Sequence, residues 1–321
     1  MRSSRSWWER LSCCHDANVL ERTGGPRRPE AGDATRWADV INGSAWPILG
    51  VTSLERSLDF YCGVLGCRVA GGEAPHGGGG RRALLTTEGR PLMLELVARP
   101  EPSAWLNDDL QSGIRHVAFK VDDIDRWAAR VKDAGAPFTL EPRDAMGKVR
   151  IAFFLDPDGS HLELVQGNVR YSHPWSEELI AAERATPAPA SPRVDHVAVS
   201  VADLERTLAF YRRGIGAEVI GQLRAGDDPR GFLITYVRLG TGPAILEIFS
   251  FDVPVLPNPW QPHRTPAGLL RIALSAGGTT DAASPGGEVV LDPDGTPLEI
   301  VTQPEPPVGS GASGPPPHGG S

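Results

Sequence analysis

Four acidic side chains recur in one local context along this 321-residue chain. Each stands in a Leu-Glu-Leu or Leu-Glu-Ile triplet that ends a short apolar stretch, and the four are Glu95, Glu163, Glu247 and Glu299. Because alternate side chains of a β-strand face opposite sides, each carboxylate is expected to point away from its aliphatic neighbours. Four equivalent acids indicate one structural unit used four times, with its carboxylate directed into a shared interior.

Two histidines occupy matching positions in a second repeated stretch. His116 lies in Arg-His-Val-Ala-Phe-Lys-Val and His196 in Asp-His-Val-Ala-Val-Ser-Val, and the other two copies carry Trp46 and Arg271 at that place. Neutral imidazole and carboxylate are ligands that suit Zn, Ni, Co, Mn or Fe(II). Each histidine could instead be a core residue bonded to a nearby carboxylate. For at least one of this matched pair we expect a metal-ligand role.

Longer repeats show which elements position these residues. Seven of the eleven residues at 51–61 recur at the matching positions of 201–211, and the turn at 156–159 recurs at 292–295. A spacing of about 150 residues between copies indicates a duplicated domain rather than a solenoid. Each copy contains two modules of a strand, a helix and two or three further strands. The four first strands are predicted at 45–51, 115–121, 195–201 and 270–276, and the first three helices at 53–65, 124–135 and 204–213.

The fourth module is shortened. The second module uses residues 121 to 156 between its first strand and its Asp-Pro-Asp-Gly turn, whereas the fourth uses only 276 to 292. The Gly-rich sequence that remains there is poor helix material.

The length of the chain fits two domains, which we place at 45–168 and 192–302 with a linker at 169–191 that holds a short helix near 176–184. We predict that residues 1–44 are a disordered extension or follow a start codon placed too early. Residues 303–321, rich in Pro, Gly and Ser, are predicted to be a disordered tail. The four cysteines are interpreted as free thiols of a cytoplasmic protein.

The charge of the chain narrows the class of partner. A net charge of −8 and a pI near 5.5 argue against nucleic acid or an anionic membrane as a partner. No apolar run approaches the roughly 20 residues that a membrane span needs. We therefore expect a small-molecule substrate or ligand, and a monomer or homodimer.

Three stretches resemble the vicinal oxygen chelate superfamily. They are residues 195–211, residues 113–123, and the two Asp-Pro-Asp-Gly-x-x-Leu-Glu ends. The superfamily includes glyoxalase I, methylmalonyl-CoA epimerase, extradiol dioxygenases, and the bleomycin and fosfomycin resistance proteins. The resemblance implies an α+β fold of two tandem domains built from four βαβββ modules, the fourth shortened, whose curled mixed sheets enclose a groove. It also implies that ligands come from the first and last strands of each module.

Two pairings of the modules remain open. Pairing within each half would group Trp46, Glu95, His116 and Glu163, and separately His196, Glu247, Arg271 and Glu299. Crosswise pairing would collect a complete divalent-metal set of His116, Glu163, His196 and Glu247. It would leave Trp46, Glu95, Arg271 and Glu299 as a degenerate second site. Crosswise pairing is favoured because both losses of histidine then fall in one site.

The resemblance implies a metal-dependent enzyme of the glyoxalase, isomerase or lyase type. Such an enzyme acts on a small molecule with vicinal oxygens through an enediolate-type intermediate, and Glu163 or Glu247 would move the proton. One alternative is a non-catalytic binding protein of the antibiotic-resistance type, which the loss of ligands at Trp46 and Arg271 favours. A second is a ring-cleaving extradiol dioxygenase, which the second glutamate disfavours because that chemistry uses two histidines and one carboxylate.

Overall fold

The computed structural model describes residues 45–76, 80–87, 94–99, 108–187, 189–240, 245–259, 268–276 and 288–302. The predicted extension at 1–44 and the predicted tail at 303–321 lie outside these residues. So does 277–287, the Gly-rich part of the fourth module. In the described part of the chain, no helix has both the length and the apolar character needed to cross a membrane.

The first two modules each have a strand, a helix and three further strands. Their elements are β1 Ala45–Val51, α1 Leu54–Gly63, β2 Arg68–His76, β3 Gly80–Thr86, β4 Leu94–Ala98, β5 Gly113–Val121, α2 Ile124–Asp133, β6 Phe138–Asp144, β7 Arg150–Leu155 and β8 His161–Gln166. The helices begin where the sequence predicts, because the side chains of Ser53 and Asp123 accept hydrogen bonds from backbone N–H groups of the first turn.

The linker and the last two modules follow. Their elements are β9 His173–Pro174, α3 Glu177–Ala185, β10 Arg193–Ser200, α4 Leu204–Ile215, β11 Glu218–Arg224, β12 Leu233–Arg238, β13 Ile245–Ser250, β14 Gly268–Ala276, β15 Glu288–Leu291 and β16 Pro297–Thr302. The linker helix predicted near 176–184 is confirmed as α3. The division of the chain into domains at 45–168 and 192–302 stays a prediction.

The strands form two mixed sheets that pair the modules crosswise. One sheet has seven strands in the order β15-β16-β14-β1-β4-β3-β2 and unites the first and fourth modules; we call it the outer-module sheet. The other has nine strands in the order β6-β7-β8-β5-β10-β13-β12-β11-β9 and unites the second and third modules; we call it the inner-module sheet. The alternative of sheets formed within each half is therefore wrong.

The centre of each sheet is an antiparallel pair of first strands. In the inner-module sheet β5 pairs with β10, and Ala118 lies opposite His196 while Ala198 lies opposite His116. In the outer-module sheet β1 pairs with β14, so Ala273 lies opposite Trp46 and Ile48 opposite Arg271. The two sheets therefore share one register at their centres. Residues at matching positions of the sequence repeat therefore occupy matching positions in the two sheets.

Modules of the same half are joined by contacts between a helix and a turn. The Tyr61 hydroxyl of α1 donates to the buried Asp156 carboxylate at 2.9 Å, and Tyr211 of α4 donates to Asp292 at 3.1 Å. Backbone N–H groups within each Asp-Pro-Asp-Gly turn also donate to the same carboxylate. We call each of these contacts a helix–turn clasp. The clasps hold each half together while the sheets pair across the halves.

We predict that Tyr61→Phe and Tyr211→Phe each lower the free energy of unfolding by about 1–2 kcal/mol, because each leaves a buried carboxylate oxygen without its donor. Urea unfolding followed by circular dichroism checks this. The two clasps involve separate residues, so the double variant should lose about the sum of the two single losses. A double variant as stable as the wild type would show that the clasps do not hold the halves.

Candidate metal centre

The four glutamates occupy one register position in the two sheets. In each module the glutamate of the last strand lies beside a residue of the first strand. That residue is two positions after the histidine, tryptophan or arginine. The parallel neighbours are Ala118 and Glu163, Ala198 and Glu247, Ile48 and Glu95, and Ala273 and Glu299. Because side chains two apart share a face, each carboxylate lies on the same face as the first-strand residue of its module. The expectation that the acids point into interiors agrees with their burial, since all four are at most 6% exposed.

The inner-module sheet brings two imidazoles and two carboxylates to a single point. The Nε2 atoms of His116 and His196 lie 3.2 Å apart. An oxygen of Glu163 lies 3.0 Å from Nε2 of His116 and 3.1 Å from that of His196. The corresponding distances from Glu247 are 3.4 and 3.2 Å. One ligand atom from each of the four residues lies within 4.8 Å of every other.

Polar neighbours fix the orientation of two members of this set. Nδ1 of His196 lies 3.3 Å from a carboxylate oxygen of Asp195, which selects the tautomer whose Nε2 lone pair faces the centre. The Tyr236 hydroxyl donates to Glu247 at 2.6 Å. Lys120, 4% exposed, lies 3.8 Å from Asp195. These three residues were not predicted from the sequence. Asp195 and Tyr236 could have been found as neighbours of the predicted ligands, because Asp195 precedes His196 and Tyr236 lies opposite Glu247.

Burial and charge compete in setting the pKa values at this centre. Burial alone would lower the pKa of both histidines, but hydrogen bonds and charge from Glu163 and Glu247 outweigh it and raise both pKa values. Burial would likewise raise the pKa of both glutamates, and the two imidazoles outweigh it and lower both. Hydrogen bonds and charge between the imidazoles and the carboxylates therefore hold the four side chains together at this centre. Because a metal ligand must be deprotonated, binding of a cation here is expected to depend on pH.

The four residues fit a divalent metal ion. Zinc–nitrogen and zinc–oxygen bonds of about 2.0–2.2 Å place neighbouring ligand atoms roughly 3 Å apart, which is the spacing observed. Two lone-pair nitrogens facing each other at 3.2 Å also need a proton or a cation between them. Among the residues that the structure describes, this is the one group of three or more His, Cys, Asp or Glu with such spacing. The donor set suits the borderline metals expected from the sequence but does not select one of them.

The outer-module sheet brings together the other four predicted residues, without histidine. The Trp46 indole N–H donates to Glu95 at 3.5 Å, and Arg271 forms an ion pair with Glu299 at 2.9 Å. Arg82 lies 3.4 Å from the second oxygen of Glu95. A guanidinium has no lone pair for a metal and instead neutralises carboxylates directly. This second site is therefore unsuited to a divalent metal.

A cavity of about 420 Å³ opens onto the centre in the inner-module sheet. His116, Glu163, His196 and Glu247 all line it. His161 lines it as well; this histidine is 7% exposed, lies 2.8 Å from the Thr139 hydroxyl, and stacks on Phe153 with ring centres 4.8 Å apart. Burial lowers the pKa of His161 to about 4, so that this ring is neutral at pH 7. His161 therefore lies beside the proposed metal centre and does not face solvent.

A family model assigns the chain to a known superfamily. The model described as "Glyoxalase/Bleomycin resistance protein/Dioxygenase superfamily" matches residues 43–164 and 193–264, which is more than half of the chain. The chain therefore belongs to this superfamily, in agreement with the resemblance read from the sequence.

Curated relatives of the chain include proteins named as a lyase and as a dioxygenase. One is a probable chloroplastic lactoylglutathione lyase from Arabidopsis thaliana, 31% identical over 136 residues, a match covering 42% of this chain and 32% of that protein. Another is the catechol-2,3-dioxygenase of Bacillus subtilis (strain 168), 28% identical over 199 residues, a match covering 54% and 64%. The matched region thus spans less than two thirds of each of these two relatives.

Solved structures agree with the fold. A glyoxalase I mutant from Zea mays superposes with a TM-score of 0.57 over 81% of this chain and 92% of that chain, at 20% sequence identity. At this identity the likeness shows the fold alone.

We predict that His116→Ala and His196→Ala each abolish the binding of the same single equivalent of divalent metal, because each removes one of two converging imidazoles. Metal content measured by mass spectrometry after loading and desalting checks this. Arg271→Ala, at the matching position of the outer-module sheet, should keep the wild-type metal content. Stoichiometric metal in His196→Ala would place the ion elsewhere.

Proposed function

We propose that the chain is a metal-dependent enzyme of the glyoxalase type, a lyase or isomerase that acts on a small molecule with two vicinal oxygens. The observation that carries this proposal is the convergence of two imidazoles and two carboxylates within 4.8 Å at the wall of a cavity. The names of the relatives, lactoylglutathione lyase and catechol dioxygenase, support an enzyme at this site. We propose His116, Glu163, His196 and Glu247 as the ligands.

A divalent cation held by these ligands supplies Lewis acidity, which favours negative charge on the oxygens of a bound substrate. The protein residues supply the rest. Asp195 keeps the ring of His196 in one tautomer, and the burial of all four ligands excludes bulk water from the reacting atoms. Both glutamates are ionised because their pKa values are lowered, so either is able to accept a proton.

The surroundings of the two glutamates favour Glu163 as the general base. Glu247 is held through its Oε1 atom by the Tyr236 hydroxyl at 2.6 Å, and a base that changes partners during a reaction must first lose such a bond. Glu163 approaches both histidines through its Oε2 atom. We assign Glu163 to the movement of a proton at the carbon next to the substrate carbonyl. Glu247, positioned by Tyr236, remains a ligand throughout.

A ring-cleaving dioxygenase is a second candidate function. The rings of Phe153 and Phe249 lie 5.1 and 5.9 Å from the ring of His116, which provides a surface for an aromatic substrate. Two neighbouring carboxylates at the centre argue against this candidate, because that chemistry uses one. Consumption of oxygen by protein loaded anaerobically with Fe(II) and given catechol would favour it over the lyase or isomerase.

A non-catalytic binding protein is the third candidate. It is supported by the loss of ligand residues in the outer-module sheet, where Trp46 and Arg271 stand in place of histidine. The complete set of two imidazoles and two carboxylates in the inner-module sheet argues against this candidate. Burying these groups costs stability, and without an ion they have no role in binding. A protein that never holds stoichiometric metal under any loading would favour the binder.

Exchange of hydrogen at carbon tests the proposed chemistry. We expect the metal-loaded protein to exchange a substrate C–H next to a carbonyl with solvent deuterium, followed by NMR over a panel of α-hydroxyketones and thiohemiacetals of α-ketoaldehydes. Glu163→Gln should slow exchange by about 10²–10⁴-fold per bound metal, because glutamine cannot accept the proton. Glu95→Gln, at the matching position of the outer-module sheet, is the control and should exchange at the wild-type rate. Equal exchange in Glu163→Gln would remove this residue as the base.

The role of Tyr236 is tested separately. Tyr236→Phe should weaken metal binding by about 10–100-fold, because it removes the donor that orients Glu247. Competition with a chromophoric chelator measures this affinity. Exchange per bound metal should stay near the wild-type rate, since Tyr236 is not assigned to proton transfer. Unchanged affinity would show that Glu247 needs no such support.

A further inference from the structure

The cavity beside the proposed metal centre has an unusual balance of charge for an enzyme related to lactoylglutathione lyases. Among the described residues that line it, the acidic side chains outside the four ligands are Asp108, Asp109 and Asp195, and Arg115 is the one arginine or lysine. Glutathione adducts carry free carboxylates on a flexible peptide. A site that takes them needs cationic side chains turned toward the ligand.

Arg115 does not meet this need. Arg115 is 6% exposed, and its guanidinium donates to the backbone carbonyls of Asp108 and Gly113 at 2.5 and 3.4 Å. Its guanidinium therefore secures the loop before β5, and these two donors are not open to a ligand. Nearby, Arg230 is engaged by Asp109 at 3.1 Å and by Asp228 at 2.7 Å. Both arginines are thus already engaged by oxygen atoms of the chain, so they offer an anionic tail less than an unengaged cation would.

The rest of the cavity wall is mostly apolar, and three phenylalanine rings are part of it. Phe153 and Phe249 flank the ring of His116, and Phe232 packs edge-to-face on Phe249 with ring centres 5.0 Å apart. Ile234 and Leu223 continue this surface away from the ligands. Aromatic walls next to a polar centre bind flat apolar groups, because the rings exclude water and offer both stacked and edge-on contacts.

We propose that this cavity takes a neutral, largely apolar ligand that carries an aromatic ring next to its vicinal oxygens, and that it does not take glutathione adducts. The proposal rests on the proposed function in that the oxygens face the four metal ligands, while the ring lies between Phe153 and Phe249. An aryl ketone with a neighbouring hydroxyl has this chemistry.

Three probes separate the contribution of the ring from that of the oxygens. Acetohydroxamic acid offers two vicinal oxygens alone, benzohydroxamic acid adds a phenyl ring, and S-lactoylglutathione offers vicinal oxygens on an anionic peptide. Titration calorimetry on the zinc-loaded protein should show benzohydroxamic acid binding at least about tenfold more tightly than acetohydroxamic acid, because the ring is buried. S-lactoylglutathione should bind no more tightly than acetohydroxamic acid. Preference for S-lactoylglutathione over benzohydroxamic acid would overturn the proposal.

Substitution of the wall tests where the ring binds. Phe249→Ala should reduce the advantage of benzohydroxamic acid over acetohydroxamic acid to about threefold or less while zinc content stays at one equivalent. Ile234→Ala is a second, smaller change in the same wall, and a partial reduction is expected there. Trp175→Ala, an exposed aromatic side chain that does not line the cavity, is the matched control and should keep the full advantage. An unchanged advantage in both wall variants would place the ring elsewhere and overturn the proposal.

The metal-free protein distinguishes this proposal from the proposed function. Without metal, the neutral fluorophore N-phenyl-1-naphthylamine should still bind to wild type and bind more weakly to Phe249→Ala, since the wall does not depend on an ion. If the protein never holds zinc but binds this fluorophore, the result would contradict the metal-dependent function and support the apolar ligand class. Stoichiometric zinc without a preference for the phenyl ring would contradict the apolar ligand class and agree with the metal-dependent function.

Discussion

The antiparallel pairing of β5 with β10 is the constraint on which the proposed site depends. Its register sets Ala118 opposite His196 and Ala198 opposite His116, so that the two imidazoles approach from opposite strand directions and their Nε2 atoms meet at 3.2 Å. The parallel neighbours β8 and β13 then place Glu163 and Glu247 beside the same alanines. Because the side-chain period of a strand is two, a slip of one residue in either pairing would turn a ligand to the other face.

The outer-module sheet shows the same scaffold with a different electrostatic solution. There the register is repeated, but Trp46 and Arg271 take the histidine positions and neutralise or cap the two carboxylates with groups fixed to the chain. A buried carboxylate needs a partner in either sheet, because an unpaired buried charge is costly. In one sheet that partner is permanent; in the other it is a proton or, as we propose, a metal ion. The repeated scaffold therefore carries two different sets of side chains at matching positions, and of these two sets the one in the inner-module sheet suits the metal ion that we propose.

Support for the proposed centre comes from outside the four modules as well. The segment between the halves forms α3, whose Glu183 lies 3.9 Å from Lys120, and Lys120 in turn lies 3.8 Å from Asp195. The same segment places the ring of Tyr171 5.4 Å from that of Tyr236, the donor to Glu247. Gly221 permits this approach, because a Cβ there would lie 2.6 Å from the Tyr171 ring. The linker thus contacts Lys120 and Tyr236, which lie next to the residues that orient or form the proposed ligand set.

The modules, their helices and the residues able to do chemistry follow from local features of the amino-acid sequence. Helix starts at Ser53 and Asp123 and the alternation around each glutamate are local properties, fixed by backbone hydrogen bonds and the period of two, and so they can be read along the chain. Which modules pair depends on the complete fold, because strand pairing joins residues far apart in sequence and both pairings satisfy the same local pattern. The same holds for the contact of Lys120 with Asp195 and for the cavity wall, which combines Phe153 of the second module with Phe249 of the third, because both require β5 and β10 to lie side by side.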